Sequence, residues 1–420
     1  MSERMPGVYL QVVPTDKFKT TQITIRFKTE LSKEKLNERS LLSALMENSC
    51  AKYPSPGEMN EQLAQMYGAL FSVDSVRKGN LLLFSLTLNI VNDRFLAGDT
   101  HLLEEGFAFL YQVLFEPLVE NDTFIPGVVS LEKHQLMNYM AAMVEDKQDY
   151  AVMRLQSLYF NDGAQAIPFY GTPEGIQNVG PDELYRAYKE MLLNDEVMVT
   201  VVGNVTEEEI APFIDAMPFP PRRPENVAPF YHQVTTNLRS ESEQQPIVQS
   251  KLAMIYQTNI YYGEMPYYPL LVFNGLFGGF PHSKLFMNVR EKESMAYYAS
   301  SHIDAYRGNI LVIAGIDAQN RDCVVQLIEE QLESLQRGEF DEVAFQQTKA
   351  MLINQWLSGE DNARVIQEHA YTQWLFRNQA SDLSVEAMIQ HIQEVTMEEV
   401  ALVAKQVTLQ AAFFLEGGME

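Results

Sequence analysis

The sequence predicts an α+β protein of two homologous halves in tandem, each a sandwich of sheet and helices. Three observations predict it. The segment RKGNLLLFSLTL (77–88) resembles YRGNILVIAGID (306–317), each a Gly-Asn turn feeding a buried apolar strand, at an offset of 229 residues. Further on, FIPGVVSLEKHQLMN (124–138) resembles FDEVAFQQTKAMLIN (340–354), with Phe124, Lys133 and Asn138 answered by Phe340, Lys349 and Asn354 at an offset of 216. Between the halves lies MPFPPRRPENVAP (217–229), whose five prolines remove backbone donors and forbid a continued helix.

Each half opens alike. ITIRFKT (23–29) and KLAMIYQT (251–258) read as strands, and helical stretches follow at 34–49 and 265–277. Strands and helices then alternate in both copies, which gives a sheet-and-helix sandwich for each. The first copy carries 13 more residues between the two landmarks, an insertion that belongs in a loop or a longer helix. The organisation expected is an N-terminal domain over 1–216, a linker over 217–245 and a C-terminal domain over 246–420.

A chain of 420 residues exceeds one ordinary core, and 46% hydrophobic residues suffice to fill two. The net charge of −25 argues against nucleic acid, because a phosphate-tracking surface needs clustered Lys and Arg. No apolar run approaches the length of a membrane span. The start MSERMPGVYLQVVPT lacks the basic-then-apolar layout of a signal peptide, so a cytoplasmic protein with no membrane partner is expected. Cys50 and Cys323 stand far apart with no ligand-spaced neighbour, which excludes a disulfide scaffold and a zinc finger.

One stretch, a glycine-rich loop joined to an amphipathic helix and then to an aromatic strand, is suited to holding a peptide: NGLFGGFPHSKLFMNVREKESMAYYASS (274–301). Gly275, Gly278 and Gly279 lack Cβ atoms, can take positive φ, and let another backbone approach. Leu285, Phe286 and Val289 recur at helical spacing, which places Arg290 where that helix should end. An arginine and a tyrosine, Tyr297, can both polarise a carbonyl or hold an oxyanion, but neither hydrolyses a peptide without an activated water. The bland reading is a packing unit with a surface arginine. His282 in the glycine segment could contact substrate but reads better as a solvated loop histidine, His134 and His302 are scattered, and Asp304 and Asp317 are explained equally by turn and strand-end positions.

Two similar halves together with GGFPHSKLFMNVREKESMAYY resemble the pitrilysin and insulinase-type peptidase family, which includes the mitochondrial processing peptidase subunits. The matching positions are Gly278, Gly279, Ser283, Leu285, Phe286, Val289, Arg290, Glu291, Lys292, Ala296 and Tyr297. PFYGTPEGIQNV (168–179) resembles the family's Tyr-Gly-Thr-Pro-Glu-Gly-Ile turn, and VMVTVVGNV (197–205) the strand that closes its first domain. The resemblance implies paired α+β sandwiches that enclose a peptide chamber in sets of four.

The departure lies in the first half. Active members carry His-x-x-Glu-His on a helix, which sets two imidazoles on one face and a Glu beside the metal-bound water. Here the equivalent helix reads SLLSALMENSC, and the ligand and base positions fall on Ser40, Ser43 and Ala44. The family's third ligand, a Glu seven residues after another Glu, falls on Tyr139 when counted from Glu132. Val365 to His369 (VIQEH) imitates the end of the motif without its first histidine, and one His beside one Glu makes no three-ligand site.

The resemblance therefore implies a chain that binds no metal itself and partners a zinc-bearing homologue in a two-subunit peptidase. In that reading Arg290 and Tyr297 act in trans on the partner's site, and Gly278, Gly279, Phe280 and Ser283 contact the peptide. Two alternatives stay open: a homodimeric pseudoenzyme that binds peptides or proteins uncut, and a structural core subunit of a larger complex. In appearance the chain is similar to the short, zinc-less members from Gram-positive bacteria, some named for association with 5-aminopentanol modification of elongation factor P. No residue above bears on that association.

Overall fold

The computed structural model describes residues 1–97, 101–234, 237–378 and 382–418, which form two compact units. Unit 1 gathers Met1–Ala141, Pro168–Ala228 and Gly359–Gln379; unit 2 gathers Ala142–Ile167, Pro229–Ser358 and Ala380–Glu420. Each unit thus takes one short segment from the opposite half of the sequence. The segment 217–245, read above as a linker, ends in a strand, and its residues 235–236 lie outside the described residues.

Unit 1 holds a six-stranded sheet in the order β1 (Ser2–Met5), β2 (Val8–Pro14), β8 (Glu196–Gly203), β3 (Thr20–Glu30), β5 (Leu81–Val91), β4 (Leu70–Lys78). A separate two-residue ladder pairs β6 (Val119–Glu120) with β7 (Thr123–Phe124). On one face of the sheet Ile23, Ile25, Phe27, Leu86, Val199 and Val201 bury against α1 (Lys33–Asn48), α3 (Leu102–Phe115) and α8 (Pro181–Asn194). Local signals start these helices: Ser32 caps α1 by accepting from the Lys35 N–H, and Pro181 opens α8 at a position whose N–H has no helical partner.

The other face is covered by α13 (Ala363–Leu375), which sets Tyr371 and Trp374 on Leu81, Leu83 and Met198. Covered on both faces, β3 is buried from Thr21 to Lys28 even though Ile23, Ile25 and Phe27 alternate with Thr24, Arg26 and Lys28. The charges that interrupt it are paired: Arg26 with Glu368 of α13, and Lys28 with Glu196. That pairing also accounts for the zinc-motif imitation at 365–369, since Glu368 is committed to Arg26 and His369 Nδ1 lies 3.6 Å from Glu360.

Unit 2 repeats the plan with five strands in the order β11 (Ala296–Asp304), β12 (Asn309–Ile316), β10 (Ser250–Gln257), β13 (Thr408–Gly417), β9 (Arg239–Gln245). These match β4, β5, β3, β8 and β2 one for one, antiparallel throughout except for β2 with β8 and β9 with β13, which are parallel. One face packs on α10 (Tyr267–Asn274), α11 (Arg321–Gln336) and α15 (Met397–Ala404). The other receives α5 (Lys147–Tyr159), whose Ala151, Leu155 and Tyr159 meet Ala253, Ile255 and Phe413. The fold class is α+β in both units.

The repeat has a physical basis at each landmark. Gly79 and Gly308 turn their hairpins at φ 59° and 61°, a left-handed conformation that glycine adopts without strain. The Lys133 ammonium, on α4 (Pro126–Glu145), donates to the Gln177 carbonyl at 2.8 Å; that of Lys349, on α12 (Glu342–Gly359), donates to the Gln393 carbonyl at 2.7 Å. Donors and acceptors share the offset of 216, and in both copies the cation meets carbonyls at the end of a short helix, α7 (Pro173–Asn178) or α14 (Val385–Glu394). Among the described residues no helix is long and apolar enough to cross a membrane.

Lys349 makes a second bond, 2.8 Å to the buried Val395 carbonyl, and is itself buried. Replacing it with Met leaves both carbonyls without their donor, so Lys349→Met should lower stability by about 1–3 kcal/mol in urea denaturation. Lys133→Met, which loses one exposed bond, should lose less.

Candidate functional site

In unit 1, α1 carries the positions that the family's metal motif would occupy, and none presents an imidazole or carboxylate. The Ser43 hydroxyl donates to the Ser40 carbonyl at 2.9 Å, and the Ser40 hydroxyl points to the Phe169 carbonyl at 3.5 Å. Both hydroxyls are thus turned back onto main chain. Ala44 offers only its carbonyl, which accepts from the Asn48 amide at 2.9 Å. The same amide reaches Glu132 Oε2 on α4 at 3.0 Å, and burial pushes the Glu132 carboxyl above its usual range.

Tyr139 lies two turns further along α4. It is half exposed and edge-on to Tyr170 at 6.0 Å, and Tyr170 in turn meets Phe169 at 5.2 Å. Aromatic faces and hydroxyls thus stand at these positions. They do not fit a zinc ion, which takes imidazole, thiolate or carboxylate ligands. Among the described residues no group of three or more His, Cys, Asp or Glu side chains is placed to hold a metal.

In unit 2 the glycine segment is helical. Gly275–Gly279 continue α10 as a π-helical turn, and a second π-helix spans Leu285–Lys292, where the Glu293 N–H donates to the Asn288 carbonyl five residues back at 3.2 Å. None of Gly275, Gly278 and Gly279 has a positive φ. Their lack of a Cβ serves close packing within the chain itself. A Cβ on Gly278 would lie 2.7 Å from both the backbone N and the Oγ of Ser301 on β11, and one on Gly275 would lie 2.5 Å from Thr348 Cγ2. The backbone that comes close to Gly278 is therefore β11.

This packing settles the surroundings of the four positions expected to touch a peptide. Gly278, Phe280 and Ser283 are buried inside unit 2, and only Gly279 is exposed. The Ser283 hydroxyl accepts from the Phe286 N–H at 3.4 Å, and Phe280 stacks on His282 at 5.6 Å. His282 is held by Thr348 Oγ1 at 2.7 Å, and burial keeps its imidazole less basic than usual. Leu285 and Val289 enter the core, as their spacing requires.

Arg290 and Tyr297 stand on the surface of unit 2. The Arg290 guanidinium lies over the Phe286 ring at 4.5 Å and 3.4 Å from Glu291 Oε1, with 40% of its side chain exposed. Tyr297 is 60% exposed and donates to Asp317 Oδ1 at 3.2 Å. No hydrogen bond or ion pair joins Arg290 to Tyr297. On the edge strand β11 the register shifts between Ala296 and Tyr298, so Tyr297 is the extra residue of a bulge, a feature that re-aims a side chain. Asp317 follows β12 opposite that bulge, and its carboxylate holds the Tyr297 phenol above the usual tyrosine range, first by accepting the hydrogen bond that only the protonated phenol can donate and then by repelling a phenolate. Asp304, by contrast, is a turn residue that accepts from the Tyr306 and Arg307 N–H groups.

Comparison with known proteins matches this arrangement to a family. The profile described as "Peptidase M16 inactive domain" matches residues 178–352. Over 412 residues, covering 98% of this chain and 96% of the relative, the sequence is 31% identical to the "Probable inactive metalloprotease YmfF" of Bacillus subtilis (strain 168). The chain belongs to the M16, pitrilysin-type peptidase family. A second relative, the "Uncharacterized zinc protease YmxG" of the same organism, is 24% identical over 241 residues, 56% of this chain and 57% of that protein. A conserved protein of Enterococcus faecalis V583 has the same structure at a TM-score of 0.94 and 43% identity, covering 100% of this chain and 98% of that one. The "peptidase M16 inactive domain" of Pseudomonas fluorescens shares the fold at a TM-score of 0.80 and 15% identity, covering 98% and 96% of the two chains. This is a peptidase-like M16 chain without the family's zinc motif.

Two measurements check the local geometry. Gly278→Ala forces a methyl group against the Ser301 backbone and should lower stability by about 1–3 kcal/mol in denaturant unfolding. In Asp317→Asn the neighbouring charge is gone, so Tyr297 should titrate at lower pH than in the parent protein. The tyrosinate absorbance difference between each protein and its Tyr297→Phe counterpart isolates that one phenol.

Proposed function

We propose that this chain is the non-zinc subunit of a two-subunit M16 peptidase, contributing Arg290 and Tyr297 to the peptide bond held at a zinc-bearing homologue. The observation that carries the reading is the contrast between the two units. The α1 positions of unit 1 are filled by hydroxyls turned onto main chain, while unit 2 holds a bulge-mounted tyrosine and an arginine open to solvent. Zinc in such a pair belongs to the other subunit, where it would supply the activated water.

This chain's own residues would bind and orient the substrate. The Tyr297 hydroxyl, held protonated by Asp317, is a donor that can turn from that carboxylate to the oxygen of the scissile carbonyl as negative charge develops there. The Arg290 guanidinium, anchored on Phe286 and Glu291, would hold a substrate carbonyl. Gly279 would face the peptide, while Gly278, Phe280 and Ser283 keep the frame in place from inside. The coexistence in one organism of a relative named as an inactive metalloprotease and another named as a zinc protease supports a paired arrangement. The pair would work in the cytoplasm.

A second reading rests on a different observation. The exposed aromatics Tyr139, at one of the former metal positions, and Phe169, whose carbonyl faces Ser40, favour a chain that binds peptides by itself, as a homodimer, without cutting them. The reconstituted pair separates the two. With a quenched peptide substrate, Tyr297→Phe should slow turnover about a hundredfold to a thousandfold while leaving assembly intact. Unchanged turnover would remove Tyr297 from the mechanism.

A further inference from the structure

Unit 2 contains a cavity that the peptidase reading does not use. It opens between the start of α10 and the pair α14 and α15, with a volume of about 320 Å³, within the range of small-molecule sites. Pro269, Val395, Leu402 and Val403 make its walls apolar. Tyr268 lines it while being only 3% exposed, and among the described residues none is hydrogen-bonded to its hydroxyl, which opens into the cavity. Burial, together with the negative charge of Asp382, keeps this phenol protonated and therefore able to donate or accept. The ring is fixed by His391, whose imidazole lies against it at 4.4 Å.

The charge of the lining has one sign. Glu394 and Glu399 are present, and no lysine or arginine is. Glu399 spends one oxygen on the Thr396 N–H and hydroxyl at 2.8 and 2.9 Å, capping α15. Glu394 accepts from Gln390 through one oxygen at 2.8 Å and leaves the other 4.0 Å from His391 Nδ1. The nearby Lys349 ammonium is committed to two carbonyls. Apolar walls, a phenol hydroxyl and carboxylates in the lining recognise a cation on a hydrophobic stem, which gains from apolar contact and carboxylates together.

We propose that this cavity binds a primary ammonium ion carried on an apolar stem, either a free amphiphilic amine or the lysine side chain of a protein. The test is ligand-observed NMR on the full chain with phenethylammonium, phenethyl alcohol and 3-phenylpropionate, repeated on Leu402→Lys and Glu394→Gln. Leu402 is about half exposed, so its replacement adds a charge at the mouth without opening the core.

Phenethylammonium should bind with a Kd on the order of 1 mM, the alcohol about five- to tenfold more weakly, and the carboxylate least. Leu402→Lys should weaken the ammonium about tenfold or more, and Glu394→Gln by a smaller factor. Should Leu402→Lys fail to fold by thermal melting, Glu394→Gln supplies the comparison. Competition by N-acetyl-lysine methylamide would identify a protein side chain as an occupant, and its failure to compete would identify a free amine. Equal affinity for amine and alcohol, amine binding that neither variant weakens, or no binding at about 10 mM overturns the proposal.

Discussion

The approach of Gly278 to the backbone of Ser301 determines how closely the helical segment packs on β11, and much of the candidate site follows from that spacing. With no Cβ at Gly278, α10 and its π-helical turn sit directly on the edge strand, held by the Ser301 hydroxyl donating to Asn274 Oδ1 at 2.7 Å. The chain then turns through buried Phe280 and Ser283 into the second π-helix, which carries Arg290, and returns along β11 to the bulge at Tyr297. A larger residue at Gly278 would displace both surface groups together, because both are mounted on elements that meet there. The π-helical windings are consistent with a segment shaped by function, since such windings are seldom adopted without one.

The two units show one plan carried to different ends. Their sheets correspond strand for strand, their hairpins turn on the same glycine, and the same lysine closes the end of a short helix in each. Unit 1 has kept the helix on which the family mounts its metal and has filled it with hydroxyls that bond to main chain, beside a buried Glu132 held by Asn48. Those replacements satisfy themselves locally and leave nothing poised to ligate. Unit 2 has kept an exposed donor and an exposed cation. A chain with this division of features lacks the family's zinc motif, and its exposed Tyr297 and Arg290 are the groups on which the proposed role in trans rests.

Most of the architecture was legible in the sequence, for identifiable reasons. The repeat at offsets 229 and 216 reported equivalent turns and equivalent helix ends because both depend on residue types with few substitutes, a glycine at positive φ and a lysine long enough to reach a helix terminus. The destinations of α5 and α13 were not legible. An amphipathic pattern states that one face of a helix is buried but not which sheet receives it, and each of these helices covers the sheet built mainly from the other half. The glycines at 275, 278 and 279 were read as loop because glycine signals both positive φ and close approach, and only the second applies. The bond between Tyr297 and Asp317 depends on a one-residue bulge, which sequence alternation does not display.

Zinc stoichiometry in native mass spectrometry, for this chain alone and after co-expression with a homologue bearing His-x-x-Glu-His, tests the account most directly. The account predicts a one-to-one heterodimer carrying a single zinc ion, with none on this chain by itself. A zinc ion retained by the isolated chain, or no heterodimer with such a homologue, would contradict it.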